Sequence, residues 1–177
     1  MIDYGKFSFA APPCTGEDWF ISAAQLAGYG PGFRHHAHEP WTGSDREQLR
    51  VSITRRPVDF LRVVYSRLKN ARLSNGIMFF AELGDGSFEE FASDYIEKMP
   101  GRITELYNRY ESDVMLRVED TPWAFIELAL SLDTDPTLVS TLRRLPVNKE
   151  CGPAVPNWVA REIKETEADV YEAYDYW

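Results

Sequence analysis

The sequence predicts an α/β fold: a parallel sheet with helices on both faces, in one domain spanning residues 1–177. Three observations predict it. Short apolar segments that read as strands alternate with longer segments of helical period. The connections between strand candidates are helix-length, as parallel strands require. Proline, glycine and a capping pair punctuate the helix ends. With 44% hydrophobic and 27% charged residues, the chain has the composition of a folded protein with a sizeable core.

The first strand is expected over Lys6 to Ala10, ending at Pro12-Pro13. A helix follows from about Glu17 to Leu26, with Trp19, Phe20, Ala23, Ala24 and Ala27 on its apolar stripe and Gly28 and Gly30 as its stop. Residues 32–45 read as a loop or a brief strand ending in one. Leu49 to Thr54, "LRVSIT", is the second strand, and Pro57 opens the next helix at a position where its missing N–H costs nothing. Residues 73–86 carry the turn pairs Asn75-Gly76 and Asp85-Gly86 and read as a connection. Ser87 and Glu90 form a capping box for a helix that Pro100-Gly101 breaks, and a further helix follows. "DVMLRVED" is the third strand, Thr121-Pro122 caps another helix, and one more follows Asp135. Pro146, Pro153 and Pro156 mark an extended loop, after which an acidic helix is expected over about 157–177. No internal repeat or low-complexity tract is visible.

Charge is unevenly distributed around the net value of -9. Residues 44–73 hold eight bases against three acids, a local balance of +5, whereas residues 74–177 hold nine bases against 21 acids, a balance of -12. The bulk field therefore opposes nucleic acid and acidic membranes, while the basic segment could hold a discrete anion. No apolar run reaches the roughly 20 residues of a membrane helix, and the first residues are too polar for a signal peptide. Two cysteines, Cys14 and Cys151, make no disulfide framework. The expected setting is reducing and intracellular, in the cytoplasm or as part of a viral particle.

The stretch after the first strand has the layout of a phosphate-binding turn: apolar strand, tight Thr15-Gly16 turn, helix N-terminus. In an α/β sheet such turns gather at the carboxyl ends of the strands. The turn, the segment from Arg55 and "VEDTP" all follow strands and are expected on that edge. Yet Glu17 and Asp18 stand where an anion would rest, and no lysine is adjacent. Acids in the first turn favour the positive end of the helix dipole, by ~0.3–1 kcal/mol each, and there they occupy the anion's place.

Four segments in order resemble the sulfotransferase family of P-loop-like proteins, in its short bacterial and viral form. "PCTGEDW" (13–19) lies where the family has Pro-Lys-x-Gly-Thr-Thr-Trp, its loop for the 5′ phosphosulfate of 3′-phosphoadenylyl sulfate. "HEP" (38–40) matches a His-x-Pro with the catalytic base. "VSITRRPVDFLRVVY" (51–65) matches a strand–Arg-x-Pro-x-Asp–helix element that grips the donor's 3′ phosphate, and "LRVEDTP" (116–122) the family's Arg-x-Glu-Asp strand end. The ending "VYEAYDYW" is similar to that of short bacterial members. The resemblance implies His38 as candidate base, and Thr15, Gly16, Trp19 and Arg55 as donor-binding residues, with Arg56 or Arg62 as helpers and an acceptor pocket in loops such as 74–87. The loop departs from the family at its chemical centre. Cys14 replaces the lysine that neutralises the leaving phosphate, and Glu17 and Asp18, acceptors only, replace two hydroxyl donors. Val63 stands where the family has a serine.

Ordinary structural roles are open to the same residues. Arg55 could pair with Asp59 or Glu119 instead of phosphate, and Trp19 and Phe20 could be core. Cys14 reads as an inert thiol. The histidines His35, His36 and His38 would need a fourth ligand from elsewhere, so no metal is expected. Lys6 or Lys149 could supply the missing cation. Two functions follow. One is a degenerate, non-catalytic binding or assembly subunit, with protein partners and possible oligomers. The other is an active enzyme moving a sulfuryl group from 3′-phosphoadenylyl sulfate to a hydroxyl or amine.

Overall fold

The computed structural model describes the chain except residues 31–32, 35–36, 42–47, 71–74, 147–151 and 177, together with the side chains of 33–34, 75–77, 79 and 139. The chain divides into two compact units, one of residues 1–54 and 110–149, the other of residues 55–109 and 150–177.

The first unit carries the sheet. Its strands are β1 (Ile2–Asp3), β2 (Phe7–Phe9), β3 (Phe33–Arg34), β4 (Leu49–Thr54) and β5 (Val114–Arg117), in the order β3-β1-β2-β4-β5. β2, β4 and β5 are parallel, with Phe9 level with Val51 and Val51 level with Val114. β1 and β3 add an antiparallel fringe. The fold is therefore α/β with a parallel centre; β3 falls in the segment read as a loop or a brief strand, and β1 is what the sequence did not announce. Two-residue strands are too short to show an alternating pattern.

The period-2 pattern of β4 sorts the sheet into two unlike faces. Leu49, Val51 and Ile53 share one with Phe7, Phe9 and Leu116, and this face belongs to the hydrophobic core. Helix α1 (Glu17–Leu26) lays Phe20 on it, stacked on Phe9 at 3.8 Å between ring centroids and edge-on to Phe125 at 5.1 Å. Phe125 comes from α5 (Trp123–Ser131). The opposite face is lined by hydroxyls, with Ser8, Ser52 and Thr54 all buried. Trp41 donates its indole N–H to Ser8 Oγ at 3.0 Å.

α1 stops as its sequence indicates. Gly28, at φ +85°, donates to the Gln25 carbonyl and Tyr29 donates to Ala24, the pair of bonds of a Schellman motif. Thr121 does not cap α5, for its hydroxyl turns back to the Val118 carbonyl at 2.6 Å. At the start of β5, Asp113 accepts from the Arg50 backbone N–H at 2.8 Å and pairs with the Arg50 guanidinium at 3.2 Å. These bonds to Arg50 hold the Asp113 carboxyl below its usual range. A lowered carboxyl contributes stability above its unfolded pKa of about 4 and loses it as pH falls through the folded value. Asp113→Asn should therefore flatten the acid limb of a melting-temperature profile below about pH 4, and less so in high salt because the pair is exposed.

The second unit is helical: α2 (Pro57–Lys69), a 3-10 helix (Asn75–Glu82), α3 (Phe88–Lys98), α4 (Arg102–Asn108), α7 (Asn157–Thr166) and α8 (Ala168–Ala173), α6 (Val139–Leu142) belonging to the first unit. Pro57 opens α2 and the Ser87–Glu90 capping box opens α3, with both reciprocal bonds made. The acidic helix expected over 157–177 is two helices. They break at Glu167, whose backbone leaves helical geometry at φ -113°, ψ 32°.

Candidate functional site

The turn after β2 is drawn in tightly. Cys14 is buried with φ +69°, and Gly16, with φ +94°, ends the turn as the residue before α1. A Cβ on Gly16 would lie 2.8 Å from a Val118 methyl, so glycine is required both by backbone conformation and by space. That contact brings the "VEDTP" segment against the turn, as expected for loops at the carboxyl ends of neighbouring strands.

The hydrogen-bonding capacity of the turn is used internally. Thr15 is buried, and its hydroxyl donates to the Pro12 carbonyl at 2.6 Å. The Gly16 N–H, which in a phosphate loop would point at the ligand, donates to Glu17 Oε2 at 3.1 Å. Glu17 is only 6% exposed. Its other oxygen, Oε1, lies 3.6 Å from His38 Nε2. Asp18 behaves differently: it is exposed and sits outside this arrangement.

His38 is fixed from three sides. Its Nδ1 lies 3.1 Å from the Ala11 carbonyl, which can only accept, so Nδ1 carries the proton and Nε2 faces Glu17. Its own carbonyl accepts from the Tyr110 hydroxyl at 2.6 Å. Next to it, Ala11 donates its N–H to Ala37 at 2.8 Å. The imidazole and the Glu17 carboxylate thus face each other at the helix N-terminus.

Trp19 lies in the core, edge-on to Phe125 at 6.0 Å, and its indole N–H has no hydrogen-bond partner among the described residues. Lys6 donates its ammonium to the Leu132 carbonyl, not to the turn. Lys149, Cys151, His35 and His36 lie outside the described residues. Among those described, no group of three or more metal-ligating side chains converges, and no helix is long and apolar enough to cross a membrane.

Arg55 opens the second unit. It is 7% exposed, and its Nε has no hydrogen-bond partner among the described residues. The nearby carboxylate goes elsewhere: Asp59 pairs with Arg62 at 2.8 Å and approaches Arg56 at 4.0 Å. Arg62 also donates to the Gly152 and Pro153 carbonyls, each at 2.8 Å, which commits it to structure. Arg55 is therefore not the partner of Asp59. A buried guanidinium with an unused donor is a place where an anion would offset desolvation. Val63 is buried. A cavity of about 250 Å³ lined by Tyr65, Leu68, Lys69, Leu83 and Phe91 lies beside the 74–87 loop.

Sequence reasoning missed two groups in this unit. Tyr107, buried, places its hydroxyl on the backbone of Arg55. Glu167, inside the acidic helix region, is fully buried and accepts from Tyr95 and Thr104. Neither has a local signature, because each contact spans more than fifty residues of chain. Compared with protein-family models, curated proteins and solved structures, the chain matches none.

Proposed function

We propose that this chain is a sulfotransferase-like protein whose donor-phosphate turn is filled from within, and that it works as a non-catalytic binding or assembly subunit with protein partners, as in a viral particle or another complex. In this reading the parallel β2-β4-β5 centre and the turn after β2 derive from the P-loop-like sulfotransferase fold, with helices on both faces. The observation that carries the proposal is the Glu17 carboxylate on the Gly16 N–H.

Magnitude supports this reading. A phosphate seated about 4 Å from that carboxylate meets a repulsion of ~4 kcal/mol at an effective dielectric of about 20. That is roughly a thousandfold in affinity. The hydroxyl of Thr15 is already donating inward, and Cys14 brings no charge, so nothing in the turn offsets it.

A second reading is an active sulfotransferase using 3′-phosphoadenylyl sulfate, with His38 Nε2 as base and Thr15, Gly16, Trp19 and Arg55 on the donor. Its support is the unused donor of Arg55, which suits a phosphate. Calorimetric titration with adenosine 3′,5′-bisphosphate separates the two. The first reading expects the bisphosphate to bind no tighter than inorganic phosphate. It also expects Glu17→Gln, which removes charge and keeps shape, to tighten it about tenfold or more. Micromolar binding by the native chain that vanishes in Arg55→Ala would overturn it in favour of the enzyme.

A further inference from the structure

Arg55 lies in the short link between a strand and a helix, where backbone groups lack regular partners. The β4 ladder ends at Thr54, and α2 begins at Pro57, which has no N–H. Arg56, preceding proline, is held extended at φ -50°, ψ 131°. The N–H and C=O of Arg55 would be left to water or to nothing. One phenol takes both: the Tyr107 hydroxyl donates to the Arg55 carbonyl at 2.7 Å and lies 3.4 Å from its N–H.

That phenol is itself braced. The Tyr107 ring is fully buried, edge-on to Phe60 at 5.8 Å and to Tyr174 at 6.4 Å. Tyr174 packs on Tyr176 at 6.5 Å, and Tyr176 on Tyr171 at 6.2 Å. The cluster is folded back on itself by the end of α8. Asp175 takes φ +53°, and the Tyr176 N–H donates to the Tyr171 carbonyl at 3.0 Å. Such a bond spans five residues and closes the helix end.

We infer that Tyr107 is a positioning residue for Arg55, and that the tyrosine cluster of the C-terminal segment sets the anion affinity of this guanidinium through it. The inference rests on the reading of Arg55 as an anion-holding residue. Holding both ends of the Arg55 peptide fixes the direction in which the side chain leaves the backbone. A pre-aimed guanidinium binds an anion without first losing its rotational freedom.

The test uses the whole chain labelled with 15N-arginine, inorganic phosphate and adenosine 3′,5′-bisphosphate as probes, and Tyr107→Phe, which keeps the ring and removes both bonds. Expected are anion binding weakened about tenfold and faster hydrogen exchange at Arg55 Nε–H, with no further loss when Tyr107→Phe is added to Arg55→Ala. An equal loss in the Arg55→Ala background, or no change in affinity and exchange, overturns the inference. Should the native chain bind neither probe, the anion reading of Arg55 fails, and the exchange rate alone decides whether Tyr107 holds it. Should Tyr107→Phe not fold, Tyr174→Leu loosens the ring from behind with both bonds intact. A weakening of about threefold confined to chains with Arg55 then supports the inference, and its absence overturns it.

Discussion

Replacing Glu167 with alanine is expected to destabilise the protein by about 4 kcal/mol, since each buried donor left unpaired costs roughly 1–3 kcal/mol. Three donors depend on this one side chain. The Tyr95 hydroxyl donates to Oε1, while the Thr104 N–H and hydroxyl donate to Oε2 at 2.8 and 2.6 Å. Glu167 and Tyr95 are both completely inaccessible to solvent, so water cannot replace the lost acceptor at the phenol. Burial first, and then the Glu167 charge, push the Tyr95 phenol well above its ordinary range, so it stays a donor at every usable pH. Thr104 is only partly buried, and water relieves part of its loss. In a chain of this length the expected fall in melting temperature is about 10 °C. Tyr95→Phe removes one of the three bonds and also the acceptor of the buried Ile103 N–H, which donates to the Tyr95 hydroxyl at 3.2 Å, and should cost about 2–3 kcal/mol. A Glu167→Ala melting point within about two degrees of native, well inside that expected fall, would show that the carboxyl is hydrated and the network is not what holds α7 and α8.

Gly16→Ala should be the most disruptive change in the turn, at about 3 kcal/mol, from two causes that add. Holding alanine in the left-handed region costs roughly 1–2 kcal/mol, and overpacking a methyl group adds about 1–3 kcal/mol. The new methyl would stand 2.8 Å from the Val118 side chain and 3.8 Å from Ile53, with only the first too close. The two causes separate experimentally. Val118→Ala in the same chain removes the obstructing methyl but leaves the backbone conformation demanded of residue 16 unchanged. Chemical denaturation of the four chains of that cycle should show a favourable coupling of about 1–2 kcal/mol. Simple additivity would mean that the turn moves away from Val118 at no cost.

What was legible in the sequence was what is decided locally. "LRVSIT" announced β4 because alternate residues must face alternate sides of a sheet. Ser87 with Glu90, Pro57 and Gly28 announced helix ends because capping depends on groups within about four residues. The acids of the α1 first turn were likewise legible, since the helix dipole acts on its own terminus. The break at Glu167 was not, because the helical period runs through it and only burial beside Tyr95 and Thr104 tells this acid from its exposed neighbours. The fate of Trp19 and the grip of Tyr107 on Arg55 are tertiary facts of the same kind.

The sheet's borders carry a consequence for self-association. β3 at one border has two residues and β5 at the other has four. An incoming strand needs a run of unpaired backbone groups to find its register, and borders this brief give it almost none. Among the described residues, copies of this chain therefore meet no long ladder to extend at either border. A second copy approaching either described border would have to be held mainly by side-chain contacts.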